Sequence, residues 1–454
     1  MRRHLHFMGV GGVGMCGLAE VLLASGAEVS GCDLVTSERT ERLAALGAAI
    51  CEGHDPSHLQ GVNTLVVSSA VNRDNPEVAA ALEHEIPVAR RSEIVGELMR
   101  GSTGIAVAGT HGKTTTTALI GHLLAEVGLD PTVLVGGHAR FIEGHGRLGT
   151  GGLLVTEADE YDRSFLDLGP DLAIITNLEP EHLDCYRDAN ELRTAFASFA
   201  NRCATTGAVI VSADDSGTRA LRPLLRRRVV TFGLDEDATL RAEEVRSDTN
   251  GSSFAVVKGG ETIGSTRLPL PGRHNIANAL AALAAGLEQG IPFSDLAAAL
   301  SRFAGVARRF QVLGERHDVV VVDDYAHHPT ELRCVLDAAR QAFPGRRLVA
   351  VFQPHLFSRT RDFAEGFADA LMSAEIAFVL PIYPAREQPI SGVTSRLVTD
   401  RAVHLGHTGV VCASGLDESL GLLDELTRPG DVVLTMGAGD VHRLAEMWLG
   451  RVES

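Results

Sequence analysis

The chain has 454 residues, 45% of them hydrophobic and 22% charged, the composition of a folded protein of about three domains rather than a disordered one. A formal net charge of −17 and an aromatic content of 5% argue against a nucleic-acid binder, which needs a basic face and stacking rings. Seven cysteines without a CxxC pair exclude a disulfide framework or zinc ribbon and fit a reducing, cytoplasmic setting; no apolar run reaches the ~18 residues of a membrane span.

In chain order, LHFMGV, LVVSSA, GIAVAG, LLVTEA, LAIITN, AVIVSA, RLVAVF, AFVLPI and DVVLTM read as strands. Apolar runs without polar alternation suit parallel strands covered on both faces. Ala-, Leu- and Glu-rich helical segments lie between several of them, so the expected class is α/β. Breaks in GELMRGSTG and RFAGVARRFQ predict three domains, 1–100, 101–307 and 308–454. Shorter alternating pieces between about 230 and 270 predict hairpins inserted in the middle domain. His6 and four glycines interrupt the apolar stretch behind Arg2 and Arg3, so no signal peptide is expected.

The first motif, GVGGVG at 9–14, stands between a strand and a helix and fits G-x-G-x-x-G. Such glycines let backbone N–H groups approach a pyrophosphate at a helix N-terminus. Asp33 follows the next strand, where an acid contacts a ribose in dinucleotide folds. The pattern alone fits NAD, the diphosphate of a UDP-sugar, or a tight turn without ligand. The second, IAVAGTHGKTTTTALIGHLL at 105–124, is a phosphate loop: a strand ends at Ala108, a glycine turn follows, and Lys113-Thr114 opens a helix. Backbone amides cradle phosphates, Lys113 reaches the β/γ-phosphates, and the Thr114 hydroxyl can ligate Mg²⁺. Val107 stands where the strict GxxxxGK[ST] spacing has its first glycine. Lys113 is one of only two lysines, the other being Lys258.

VTEADEYDRSF ends a strand in Glu157, Asp159 and Glu160, with Asp162 following; these suit Mg²⁺ or its waters, although the motif taken alone reads first as a solvated acidic loop. AIITNLEPEHLDCY carries Asn177, Glu179, Glu181, His182 and Asp184, so His182 is either a second metal ligand or an exposed loop histidine. In LPLPGRHNIANALAALAAG, Asn275 sits at a helix start and fits an N-cap. VVVVDDYAHHPTEL delivers Asp323, Asp324, Tyr325, His327 and His328 to a strand's C-terminal end, where open α/β sheets place sites. VFQPHLFSRTRDF adds His355, Arg359 and Arg361, and LTMGAGD ends at Asp440.

Together the motifs resemble the Mur ligases, ATP-dependent amide-bond ligases of peptidoglycan precursor synthesis. HFMGVGGVGMCGLAEVL, AGTHGKTTTT, EADE, TNLEPEHLD, GRHNIANALAA, DDYAHHPTEL, QPHLFSRTRD and MGAGD occur in the family's order between residues 6 and 440. The resemblance implies an N-terminal Rossmann-like domain for a UDP-linked substrate, a central ATPase domain with a mixed sheet, and a C-terminal Rossmann-like domain that closes on ATP and binds an amino acid. It reassigns the first loop to a UDP-sugar, with Gly11, Gly12, Gly14, Met15, Asp33 and Ser69 on the substrate. It implies ATP held by Gly109, Thr110, His111, Gly112, Lys113, Thr114 and Thr115, and Mg²⁺ held by Thr114, Glu157 and His182. Asn275 is implied on adenine, Arg309 (or Arg308) on the phosphates and Asp324 (or Asp323) on the ribose. Tyr325, His327 and Arg359 would face the acceptor carboxylate and the amino acid. Lys113, His182, His327 and Arg359 are the implied catalytic residues.

Two positions depart from the family's pattern. Tyr161 replaces the serine of EADESD, and Leu356 stands where some members carry an arginine. Several members that add later amino acids use a carbamylated lysine near the metals. No lysine lies between Lys113 and Lys258, which resembles the alanine-adding branch. The implied substrates are UDP-N-acetylmuramate and L-alanine, joined through an acyl phosphate by a monomer or homodimer without nucleic acid or membrane insertion. The alternatives are a ligase for a recycled peptide, a sensor that binds both nucleotides without turnover, and an NAD-dependent oxidoreductase.

Overall fold

The computed structural model describes residues 3–68, 71–72, 74–181, 185–385 and 387–450. The chain divides into two compact units: Met1–Glu244 with Phe254–Arg267 and Ala277–Val306, and Val245–Ser253 with Leu268–Ile276 and Ala307–Ser454.

The first unit carries two sheets. Strands β1 (His4–Met8), β2 (Glu28–Asp33), β3 (Ala49–Glu52), β4 (Thr64–Val67) and β5 (Val88–Arg90) are all parallel, in the order β3-β2-β1-β4-β5. The second sheet is built on β6 (Thr103–Ala108), β7 (Thr132–Leu134), β8 (Gly146–Arg147), β9 (Leu153–Glu157), β10 (Leu172–Ile175), β11 (Ala208–Ser212) and β12 (Val229–Gly233). These run β12-β11-β10-β6-β9-β7-β8, parallel except for the short β7–β8 pair, so the sheet is mixed. Every residue of β10 and β11 is buried, as their unbroken apolar text predicts. The alternating pieces after 230 are strands β13 (Leu240–Asp248), β14 (Gly251–Lys258) and β15 (Glu261–Leu268), with turns at 249–250 and 259–260.

One continuous core runs through the first unit, from Phe7 and Val66 to Ala106, Ala173 and Phe196. The helix Val13–Ala24 helps explain this continuity. Its Gly17 approaches residue 145 so closely that a Cβ would lie 2.6 Å from the His145 carbonyl oxygen. Glu20, buried on the same helix, accepts the N–H groups of His145 and Gly146 at 2.9 and 2.8 Å and Arg42 Nε at 2.8 Å. The polar stretch around 96–104 is likewise seated rather than open. Ser92 Oγ donates to Asp167 Oδ2 at 2.6 Å, and a Cβ on Gly96 would lie 2.5 Å from the Asp167 carbonyl oxygen.

The second unit is built on β16 (Gln311–Arg316), β17 (Val319–Asp324), β18 (Leu348–Phe352), β19 (Ile376–Val379), β20 (Val410–Cys412) and β21 (Val432–Met436), in the order β16-β17-β21-β18-β19-β20. Only the β16–β17 pair is antiparallel. The α/β class with three sheets agrees with the sequence expectation. No helix among the described residues is long and apolar enough to cross a membrane.

Candidate active site

The strand β6 ends at Ala108, and the helix Lys113–Glu126 begins five residues later. Between them Gly109 and Gly112 adopt φ of 135° and 81°, a region L side chains avoid. A Cβ on Gly112 would also lie 2.6 Å from Asn278 Oδ1. The loop is clamped from the end of β10. Asn177 accepts the His111 N–H at 2.8 Å and donates to the His111 carbonyl at 3.0 Å, and Thr176 Oγ1 donates to that carbonyl at 2.6 Å. The helix carries no acid in its first turn, so its N-terminal amides and dipole are left for an anion. This backbone cradle fits a nucleotide's phosphates.

Lys113 Nζ reaches Glu160 Oε2 at 2.8 Å and Oε1 at 3.0 Å, and curls back to the Gly109 carbonyl at 2.5 Å. Burial works against the Lys113 charge, but Glu160, supported by Asp159 and Glu181, raises its pKa overall. Burial likewise pushes Glu160 up to about 7 against the pull of Lys113. Glu160 is thus the carboxylate that meets the lysine.

Glu157 stands at the end of β9, and its Oε1 accepts the Gly136 N–H at 2.5 Å. A Cβ on Gly136 would lie 2.7 Å from Glu157 Oε2, and one on Gly137 2.9 Å from Thr114 Cγ2. The backbone at 136–137 therefore packs closely against both Glu157 and Thr114. A hydroxyl and a carboxylate are hard oxygen donors that fit Mg²⁺. His182 and Ser69 lie outside the described residues.

A cleft of ≈ 410 Å³ is lined by Gly12, Gly14, Met15, Ser68, Arg91, Glu157 and Asp159, among others. It brings the first glycine loop and the acidic strand end together. Gly11 and Asp33 do not line it but hold each other, the Gly11 N–H donating to Asp33 Oδ2 at 2.9 Å. Sequence reasoning missed Arg91, whose guanidinium rests over Gly14; a Cβ there would lie 3.1 Å from Arg91 Cζ. The signal was present: Arg91 opens the helix Arg91–Met99, where a cation runs against the helix dipole and needs another reason.

In the second unit, β17 delivers Asp323 and Asp324. Arg308 binds Asp323 Oδ2 at 3.0 Å and the carbonyls of Gly437 and Gly439 at 2.6 and 3.2 Å, so it fastens the β21 loop. Asp324 is buried and accepts the N–H groups of Phe310 and Ala326 at 2.7 and 2.8 Å. Burial raises its pKa to about 6, opposed by Arg309. The Tyr325 ring meets the guanidinium groups of Arg308 and Arg309, at 5.1 and 5.3 Å. His327 Nδ1 lies 3.0 Å from the Tyr325 carbonyl and so takes the proton, which leaves Nε2 basic in the neutral ring. The His327 and His355 rings are 5.9 Å apart, and Arg359 Nη1 donates to His355 Nδ1 at 3.2 Å. Tyr325, His327 and Arg359 are thus brought together. Asn275 is not an N-cap: it is the third residue of the helix Arg273–Glu288, and its Nδ2 donates to the Pro271 carbonyl at 2.8 Å. The second asparagine of that motif, Asn278, is the one against the phosphate loop, where Thr116 Oγ1 donates to it at 3.2 Å.

A glycine turn on a parallel sheet, a half-buried lysine paired with a carboxylate and acids on the neighbouring strand define a phosphate-loop protein of the nucleotide-dependent α/β class. The chain belongs to the Mur ligase family: its residues 4–103 match the profile of the Mur ligase family catalytic domain, 107–286 that of the Mur ligase middle domain and 308–439 that of the Mur ligase glutamate ligase domain. It is 44% identical to the UDP-N-acetylmuramate–L-alanine ligase of Desulfatibacillum aliphaticivorans, over 98% of both chains. It is 46% identical to the protein of that name from Salinibacter ruber, over 100% of this chain and 95% of the other. Among solved structures, the UDP-N-acetylmuramate–alanine ligase of Thermotoga maritima superposes with a TM-score of 0.84 at 30% identity, over 98% of each chain. A murein peptide ligase from Psychrobacter arcticus superposes with a TM-score of 0.72 at 26% identity, over 100% of each.

Proposed function

We propose that the chain is an ATP-dependent ligase that joins the amino group of L-alanine to the lactyl carboxylate of UDP-N-acetylmuramate, in peptidoglycan precursor synthesis. One observation carries this reading: a single cleft is lined by both the first glycine loop and the acidic strand end beside the phosphate loop. Full-length relatives bearing that activity in their names support it. When bound, ATP supplies the phosphoryl group that turns the carboxylate into an acyl phosphate, and Mg²⁺ supplies charge neutralisation.

The chain's own residues do the rest. Amides of 109–115 and the Lys113 ammonium hold the phosphates. Thr114 and Glu157 would hold Mg²⁺, with His182 at a second metal. Gly12, Gly14 and Met15, with the Arg91 guanidinium, bind the diphosphate of the sugar nucleotide at the start of the helix Val13–Ala24. Gly11 and Asp33 keep that loop in shape. Asn275 takes the adenine, Asp324 the ribose and Arg309 the phosphates. Arg359 and Tyr325 hold the amino acid's carboxylate, and His327 Nε2 accepts the proton its amine loses. The protein works in the cytoplasm, a setting that its free cysteines support.

Phosphate release with ATP, Mg²⁺ and UDP-N-acetylmuramate, across L-alanine, L-serine, glycine and a muramyl-type tripeptide, tests the proposal. L-alanine is expected to stimulate release most. Stimulation by the tripeptide alone would make the protein a ligase for recycled peptide, and stimulation by none would make it a binding protein.

A further inference from the structure

Five side chains with metal-ligand chemistry converge on the N-terminal sheet, and none of them lines the cleft described above. His6 lies in β1 and Cys32 in β2; His54 and His58 follow β3; Glu77 opens the helix Pro76–Glu83. Glu77 is fully buried, yet among the described residues its ion-pair partners are three histidines and no arginine or lysine. A buried carboxylate without a fixed cation is costly.

Most of the distances are close to those of a coordination shell, and the one short contact, the His58–Glu77 hydrogen bond, would open on metal binding. Glu77 Oε2 is 3.2 Å from Cys32 Sγ, 3.7 Å from His54 Nδ1 and 3.8 Å from His6 Nε2. Glu77 Oε1 is 2.6 Å from His58 Nδ1, and Cys32 Sγ is 3.3 Å from His54 Nδ1. The donor atoms of His6, Cys32, His58 and Glu77 all lie within 4.8 Å of one another. Tetrahedral zinc bonds give donor–donor edges of roughly 3.3–3.8 Å.

His6 points the same way. Its Nδ1 lies 2.8 Å from Ser30 Oγ, which His4 Nε2 also contacts at 2.8 Å. Its Nε2 is buried with no hydrogen-bond partner, and at 3.8 Å the Glu77 oxygen is beyond hydrogen-bond reach. A ring held through one nitrogen, with the other aimed at a carboxylate and a thiol, is the arrangement of a metal-bound histidine.

We propose that His6 Nε2, Cys32 Sγ, Glu77 and His58 form a site for one zinc-type divalent transition cation per chain, with His54 beside them. Sulfur and imidazole donors favour such an ion over Mg²⁺ or Ca²⁺, which take oxygen. On binding, the Cys32 thiol loses to solvent the proton it shares with Glu77, and His58 moves its proton to the other ring nitrogen. A thiolate and a carboxylate then neutralise the two positive charges. Cys32 directly precedes Asp33, so the ion pins the strand end that holds Gly11.

The test uses the full chain, stripped of metal and titrated with Co²⁺ in excess Mg²⁺. One equivalent of Co²⁺ is expected to bind with a thiolate-to-cobalt charge-transfer band and tetrahedral visible bands. Cys32→Ser should lose the charge-transfer band, and Cys412→Ser should keep it. X-ray absorption of the zinc-loaded wild type, which needs no variant, should show one sulfur at about 2.3 Å among nitrogen and oxygen donors. No charge-transfer band, a band that survives Cys32→Ser, or zinc without sulfur overturns the proposal.

Discussion

Lys113, proposed above for the phosphate chemistry, is tied to the fold as well through Glu160. The ammonium is held by a carboxylate that is only 1% exposed, so each charge depends on the other. Lys113→Met should lower L-alanine-dependent phosphate release by about 10²–10³-fold, the scale of losing one preorganised charge at a reacting group. It should also destabilise the protein by about 3–5 kcal/mol in denaturant unfolding, because the buried Glu160 carboxylate loses the ammonium it is paired with. Adding Glu160→Gln should restore most of the stability and none of the activity. A double variant as unstable as the single one would show that the pair is not what holds this corner. The place of Lys113 was legible in the sequence because it follows from the local order strand, glycine turn, helix. Its partner was not: Glu157, Asp159 and Glu160 stand within four residues, and only the turn after β9 decides which reaches the amine.

At the scale of elements, the helix Val13–Ala24 does two jobs. Its N-terminus carries no acid and opens on the cleft, and its buried Glu20 holds the backbone at 145–146. Glu20→Ala leaves two amides and Arg42 without their acceptor, and should cost about 3 kcal/mol in denaturant unfolding, whereas Glu20→Gln should cost less. Equal effects would mean the charge matters and the hydrogen bonds do not. The strands were readable because continuous apolar text marks burial on both faces. The seating of the stretch 96–104 was not, since it rests on Gly96 and Ser92 meeting Asp167 from a distant segment.

For the whole molecule, a net charge of −17 confronts two anionic substrates. Local cations and helix N-termini must therefore supply the attraction, and of the two lysines Lys113 is the one proposed to take part. Lys258 is exposed, whereas Lys113 is paired and held protonated. An amine-reactive ester should label Lys258 rapidly and Lys113 far more slowly, read by peptide mass spectrometry. Equal labelling of the two lysines would contradict the Lys113–Glu160 pair.

The sequence by itself determined the α/β class, the strand–turn–helix of the phosphate loop and membership of the family, because each rests on short-range patterns of burial and turn chemistry. Tertiary structure decided what those patterns cannot encode. It chose Glu160 for Lys113 and Asn278 for the phosphate loop, set Arg91 over Gly14, and tied Arg308 to Asp323. It also gathered His6, Cys32, His58 and Glu77, residues with no shared local motif, around one point. The reason is physical: a strand's register and a helix's docking bring together side chains that lie far apart along the chain, and no local spacing records that meeting.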